Sequence, residues 1–180
     1  MKAALLSALL FACIGTSSSS AAQIGILPKK DTTLKDATDS KFHVGDVWQY
    51  KTRPGEETSR LIIAKIDDSP DLGVVVHVAV DGLTWKDCED NRVPESVPHM
   101  PFARRAVEES VTKRVGKAES LPNFRNGYEE WQQAYDKKHA GIYAISVAAA
   151  VSVAEKTWRA GIGCPPTYSM NFGPFFQGHQ

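Results

Sequence analysis

Between residues 44 and 85, short runs rich in apolar residues are separated by residues that favour turns, and in the first run, residues 44–52, apolar and polar side chains alternate. Successive side chains of a strand point to opposite faces, so a period of two predicts half-buried strands. Pro and Gly mark the turns after the first two runs, and Asp81-Gly82 is a typical two-residue hairpin signal. The sequence therefore predicts an antiparallel meander with strands at Val44–Thr52, Arg60–Ile66, Val74–Val80 and Leu83–Trp85.

After this meander the period changes to that of helices. Apolar side chains recur at helical spacing over residues 101–116, which open on a proline, and again over Tyr128–Lys138. Ser146 suits the N-cap of a third helix that ends at Gly161, and Ile142–Ile145 predicts a short strand that rejoins the sheet. Strands followed by helices predict an α+β fold, with a meander of about four to five strands and about three helices packed on one face.

The α+β domain is expected to span residues 42–164 as a single unit, since 180 residues suit one domain. Residues 23–41 are polar and show no periodicity, which is typical of a flexible lead-in. Residues 165–180 are rich in Gly, Pro and Phe and are expected to form an irregular C-terminal tail.

The first 22 residues have the features of a secretory signal peptide: a basic start, an apolar run, and small residues at Ser20 and Ala22. Cleavage after Ala22 would place the protein in the periplasm. An alternative is a lipoprotein signal that ends at residue 12, because Leu10–Cys13 resembles the lipobox of bacterial lipoproteins, although Phe11 departs from that pattern. Cys13 would then carry the lipid and provide the expected membrane contact, at the outer membrane.

Two cysteines, Cys88 and Cys164, lie downstream of the signal. In an exported protein two cysteines most simply form a disulfide. The alternative is a reactive thiol, but the acidic residues beside Cys88 would raise its pKa and weaken it as a nucleophile. The sequence therefore favours a structural disulfide that holds the C-terminal segment against the domain.

The charge balance and the motifs exclude several classes of function. The chain has 21 basic and 21 acidic residues and no basic run, which argues against binding to nucleic acid. There is no G-x-S-x-G, no H-E-x-x-H and no phosphate-binding glycine loop, and the histidines lack the spacing of metal ligands. We therefore expect no cofactor and no metal.

A short turn is the first candidate for a binding surface. Arg53, Glu56, Glu57 and Arg60 place both signs of charge around Pro54-Gly55. Binding residues concentrate on loops, so this turn is a candidate recognition surface. The alternative is an ordinary hairpin tip held by its own ion pairs.

Two histidines are the second candidate. His77 lies in the middle of a predicted strand, on the face opposite its valines, and is expected to be either packed under a helix or exposed. His99 comes just before the helix predicted from residue 101, where it could cap that helix or contact a partner. Either one could act as an acid or base near neutral pH.

Four segments also resemble a group of small, exported proteobacterial proteins of unassigned function. The resemblance spans about residues 44–153 and implies no activity, but it favours the envelope of a Gram-negative bacterium. It rests on Gly45–Glu57, Val76–Val78, His99–Phe102 and the Gly127-Tyr128-x-x-Trp131 motif.

The function expected from these observations is that of a non-enzymatic envelope protein that binds another protein or an envelope component. An inhibitor or immunity protein against a toxin or a lytic enzyme would suit the size and the location, by analogy alone. The alternatives are a periplasmic enzyme in which His77 or His99 acts as acid or base, and a structural envelope lipoprotein.

Overall fold

The computed structural model describes residues 33–165, which form an antiparallel sheet of six strands and three helices. The strand order is β5-β4-β3-β2-β6, and β1 pairs with β3. The predicted α+β class is confirmed. The elements are β1 (Lys35–Asp36), β2 (Asp46–Tyr50), β3 (Arg60–Ser69), β4 (Gly73–Lys86), β5 (Arg92–Ala103), α1 (Arg104–Ser110), β6 (Val111–Lys117), α2 (Arg125–Asp136) and α3 (Val147–Gly161).

The predicted hairpin at Asp81-Gly82 does not form, because β4 continues through these two residues. The pairing of β4 with β5 is shifted between Val80 and Leu83, so the Asp-Gly pair accommodates a β-bulge. Gly82 has a φ of +64°, and a Cβ there would lie 3.2 Å from the Cα of Ser59. The continued strand places Leu83 and Trp85 in the core, where they are 2% and 5% exposed.

The long helix predicted over residues 101–116 is also wrong. Pro101 lies in β5, the helix is the short α1, and the chain then becomes β6 beside β2. The β-branched Val111, Thr112 and Val115 favour a strand, and β2 offers them a free edge. His99 therefore lies within β5 and not at the start of a helix.

The helices cover both faces of the sheet. α1 and α3 pack on the face that carries Val76, Val78 and Phe102, and together they form the main core. α2 packs on the opposite face, where its aromatic residues contact His77 and Ser69. The prediction that all helices share one face is therefore wrong for α2. This helix turns an aromatic stripe toward the sheet, and the stripe covers polar side chains.

The third predicted helix is α3, and its N-cap is confirmed: the Ser146 side chain accepts a hydrogen bond from the Ala149 amide at 3.3 Å. The strand predicted at Ile142–Ile145 is reduced to a single bridge between Tyr143 and Phe102. β1 lies within the segment predicted to be a flexible lead-in, where Lys35 and Asp36 pair with β3.

The predicted disulfide is confirmed, since the sulfurs of Cys88 and Cys164 are 2.00 Å apart. The bond joins the turn between β4 and β5 to the residues that follow α3. Within residues 33–165, no helix is long and apolar enough to cross a membrane. The predicted signal peptide with Cys13, and most of the predicted tail, lie outside the described residues.

Candidate functional site

Two residues of the predicted recognition turn face inward. The Arg53 guanidinium donates to both carboxylate oxygens of Glu56, at 2.8 and 2.6 Å, and to Glu155 of α3 at 2.5 Å. Glu56 is only 2% exposed and also accepts the Thr84 amide of β4 at 2.9 Å. The hydrogen bond with Glu56, followed by that with Glu155, outweighs burial and raises the pKa of Arg53. Arg53 and Glu56 therefore anchor the turn to β4 and α3.

The other two residues of the turn remain at the surface. Glu57 accepts the Gly55 amide at 2.9 Å, and this bond lowers the pKa of its carboxyl group. Arg60 donates to the carbonyl oxygens of Glu57 and Ser59. The predicted set is thus divided between an ion-pair network that faces inward and two residues nearer the surface, and its role in recognition stays a prediction.

The second predicted site is a buried polar network beneath α2. His77 and His99 are stacked on the same face of the sheet, with 2.9 Å between Nδ1 of His77 and Nε2 of His99. On its other side, Nε2 of His77 lies 3.2 Å from Oδ2 of Asp67 but makes no well-aligned hydrogen bond with it. The Tyr128 hydroxyl donates to the same Asp67 oxygen at 2.8 Å, and Lys65 donates to the other oxygen.

The charge states of this network follow from burial and from Asp67. Burial acts to raise the pKa of Asp67, but interactions with His77, Lys65 and Tyr128 together hold it below its usual value. Burial, followed by interaction with Asp67, raises the pKa of Tyr128 to about 12. Burial lowers the pKa of His77, and burial with the adjacent His77 lowers that of His99 to about 4. Burial therefore favours the neutral form of both imidazoles.

A neutral His99 with so low a pKa is a weak general base, because a base works best with a pKa near the working pH. Three cavities formed by residues within 33–165 are lined by residues other than His77 and His99. Within residues 33–165, no three His, Cys, Asp or Glu side chains are placed to hold a metal ion. The network is best suited to fixing α2 on the sheet through polar contacts.

Sequence reasoning missed Asp67, Tyr128 and Trp131 as partners of the histidines. Trp131 lies 4.9 Å from His77 between ring centres. A signal was present, because Lys65, Asp67 and Ser69 alternate on β3 as a polar stripe. This stripe points to partners of His77 only once the register of β3 and β4 is known, because that register pairs Lys65 with His77.

A groove lined mainly by aromatic and apolar side chains lies between α3 and the strands β4 and β5. Its volume is about 450 Å³. Trp85 and Trp158 have ring centres 5.4 Å apart, and Trp85 is 5% exposed. We call this the aromatic groove, and its lining consists of Trp85, Glu95, Ser96, Val97, Pro98, Tyr143, Ala154, Thr157 and Trp158.

The aromatic groove was not predicted, because its lining comes from β4, β5, α3 and the segment before α3. Taken one at a time in the sequence, Trp85, Tyr143 and Trp158 look like ordinary core residues. A concave, mostly apolar site of a few hundred Å³ is the usual form of a ligand site. Comparison of the chain with family models, with curated proteins and with solved structures finds no match.

Proposed function

We propose that this chain is a non-enzymatic protein of the bacterial envelope that binds another protein through the aromatic groove. The groove is the observation that carries the proposal. Protein interfaces obtain most of their affinity from a few large anchor side chains that fill well-packed pockets. Trp85, Tyr143 and Trp158 provide such a pocket for an apolar side chain of a partner.

The location follows from the N-terminal segment, whose pattern supports export to the periplasm or, with Cys13 lipidated, anchoring at the outer membrane. An envelope enzyme such as a toxin or a lytic enzyme is the partner we propose first. A domain of this size, held by one disulfide, is suited to act there as an inhibitor or immunity protein.

The test is a native pull-down from periplasmic and membrane extracts, with bound proteins identified by mass spectrometry. Thr157→Arg and Ser96→Arg place a long charged side chain in the groove at exposed positions, so the core stays intact. Lys156→Ala, an exposed change beside the groove that does not alter its lining, is the matched control.

We expect a near-stoichiometric partner with the unmodified protein and with Lys156→Ala, and its loss with both arginine variants. Binding that is equal in all four proteins would overturn the role of the groove. If no protein is retained by the unmodified protein, the protein-binding proposal is overturned.

A second candidate is an enzyme that uses His99, favoured by the series Asp67, His77 and His99 beneath α2. It predicts that His99→Ala abolishes a turnover signal while the domain stays folded. The low pKa of His99 counts against it, and turnover that persists in His99→Ala would eliminate it.

A further inference from the structure

The aromatic groove borders the outer edge of β5, and this edge has few backbone donors. Pro94, Pro98 and Pro101 carry no N–H. The Ser96 amide donates to the side chain of Glu95 at 2.8 Å, and the Ala103 amide donates to the carbonyl of Tyr143 at 2.9 Å. An extended partner therefore cannot add to β5 as a further strand, since strand addition depends on a row of free backbone groups.

A polyproline II segment needs no such row. Its backbone has no internal hydrogen bonds, and it is already extended before it binds, so little entropy is lost on docking. Such segments dock through proline rings in grooves lined by aromatic side chains. Trp85, Tyr143 and Trp158 line the aromatic groove, with Val97 and Pro98 beside them.

The charge of the groove adds a second requirement. Glu95 is the one charged side chain among the described residues that line it. Its Oε1 atom accepts the Ser96 amide, and this is the hydrogen bond that the Glu95 carboxylate makes within residues 33–165. A cationic side chain of the occupant would complement this carboxylate.

We propose that the occupant of the aromatic groove is a proline-rich segment in the polyproline II conformation, with an arginine or lysine next to its prolines. This inference rests on the proposed function and names the partner's chemistry. It predicts that affinity depends on the prolines for the apolar contact and on the basic residue for the contact with Glu95.

The test measures binding of synthetic peptides to the purified protein by isothermal titration calorimetry. The probe is a ten-residue peptide of nine prolines and one terminal arginine. One control peptide replaces the prolines by alanine, and a second replaces the arginine by glutamate. The protein variants are Thr157→Arg, Glu95→Gln and the control Lys156→Ala.

We expect the proline peptide to bind at least about tenfold more tightly than the alanine peptide, which corresponds to about 1.4 kcal/mol. Thr157→Arg should remove binding, and Lys156→Ala should leave it unchanged. Glu95→Gln should weaken binding about threefold at low salt and less at high salt, because exposed ion pairs are weak and screened.

Equal binding of the proline and alanine peptides would overturn the inference. If that happens while Thr157→Arg still loses its partner in the pull-down, the proposed function stands and only the proline-rich occupant is rejected. If the pull-down is insensitive to Thr157→Arg, the proposed function itself fails.

Discussion

Removing the disulfide is the perturbation whose magnitude the structure defines best. Cys88 and Cys164 are 76 positions apart, and Cys164 is buried at 8% exposure. The chain around the bond is also held by other contacts. Arg159 donates to the carbonyl of Lys86 at 2.7 Å, and the Lys86 amide donates to Glu155 at 2.8 Å. The folded state should therefore keep its geometry when the bond is absent.

The expected loss thus arises mainly in the unfolded chain. Closing a loop of this length removes conformational entropy from the unfolded state, and the chain-entropy relation gives about 4.5 kcal/mol at 25 °C. The double variant Cys88→Ala, Cys164→Ala should lose about 3–5 kcal/mol of unfolding free energy, a large part of the stability of a typical domain. Its m-value should rise, because an unfolded chain without the cross-link exposes more surface.

The assay is guanidinium chloride unfolding followed by tryptophan fluorescence and by circular dichroism at pH 7. The unmodified protein in reductant is the control, and it should match the double variant. A loss below about 1 kcal/mol would refute the entropic argument, since the relation predicts several times more. A changed native spectrum would refute the claim that the neighbouring contacts suffice.

Three further variants test the polar interior and the bulge. His99→Gln should reduce the loss of stability in acid. In the unfolded chain His99 binds a proton below about pH 6.5, whereas the folded group has a pKa of about 4. The unmodified protein should therefore lose about 3 kcal/mol of unfolding free energy as the pH falls through this window. Denaturant titrations at several pH values measure the unfolding free energy, and His139→Gln, at an exposed position, is the control. An equal dependence of this free energy on pH in all three proteins would contradict the prediction. Glu56→Gln should cost about 3 kcal/mol, because it removes the charge of buried Glu56 from beside the half-buried Arg53, whereas Glu57→Gln should leave the unfolding midpoint unchanged. Equal midpoints would disprove the anchoring role. Gly82→Ala should cost about 2 kcal/mol, because its positive φ strains an L-residue and the new Cβ meets backbone, and an unchanged thermal midpoint would exclude this.

Local pattern predicted three of the six strands, β2, β3 and most of β4, and it failed where a long-range partner decided the outcome. The alternation at β2 and the short apolar runs of β3 and β4 are properties of each segment, so they can be recognised without knowing which strands lie beside them. Asp81-Gly82 favours a hairpin locally, but the burial of Trp85 and its pairing with Val93 continue the strand. β6 similarly depends on β2, which precedes it by more than sixty residues.

The candidate sites show the same limit. Arg53 and Glu56 were identified because they are close in sequence, but Glu155, which completes their network, is 102 positions from Arg53. The pairing of His77 with His99 required the register of β4 and β5. The aromatic groove was beyond prediction, since no local pattern places Trp85 beside Trp158.

The strand order also bears on how the protein folds. Since β6 lies beside β2, the sheet is completed by residues far apart in sequence, and closing that loop is a slow step in folding. The backbone path from β2 to β6 is shorter than the route through the Cys88–Cys164 bond, so oxidation brings these strands only slightly closer together in the unfolded chain. The sheet can therefore assemble before or after the thiols are oxidised, and the order of the two events is free to follow the redox conditions that the chain meets.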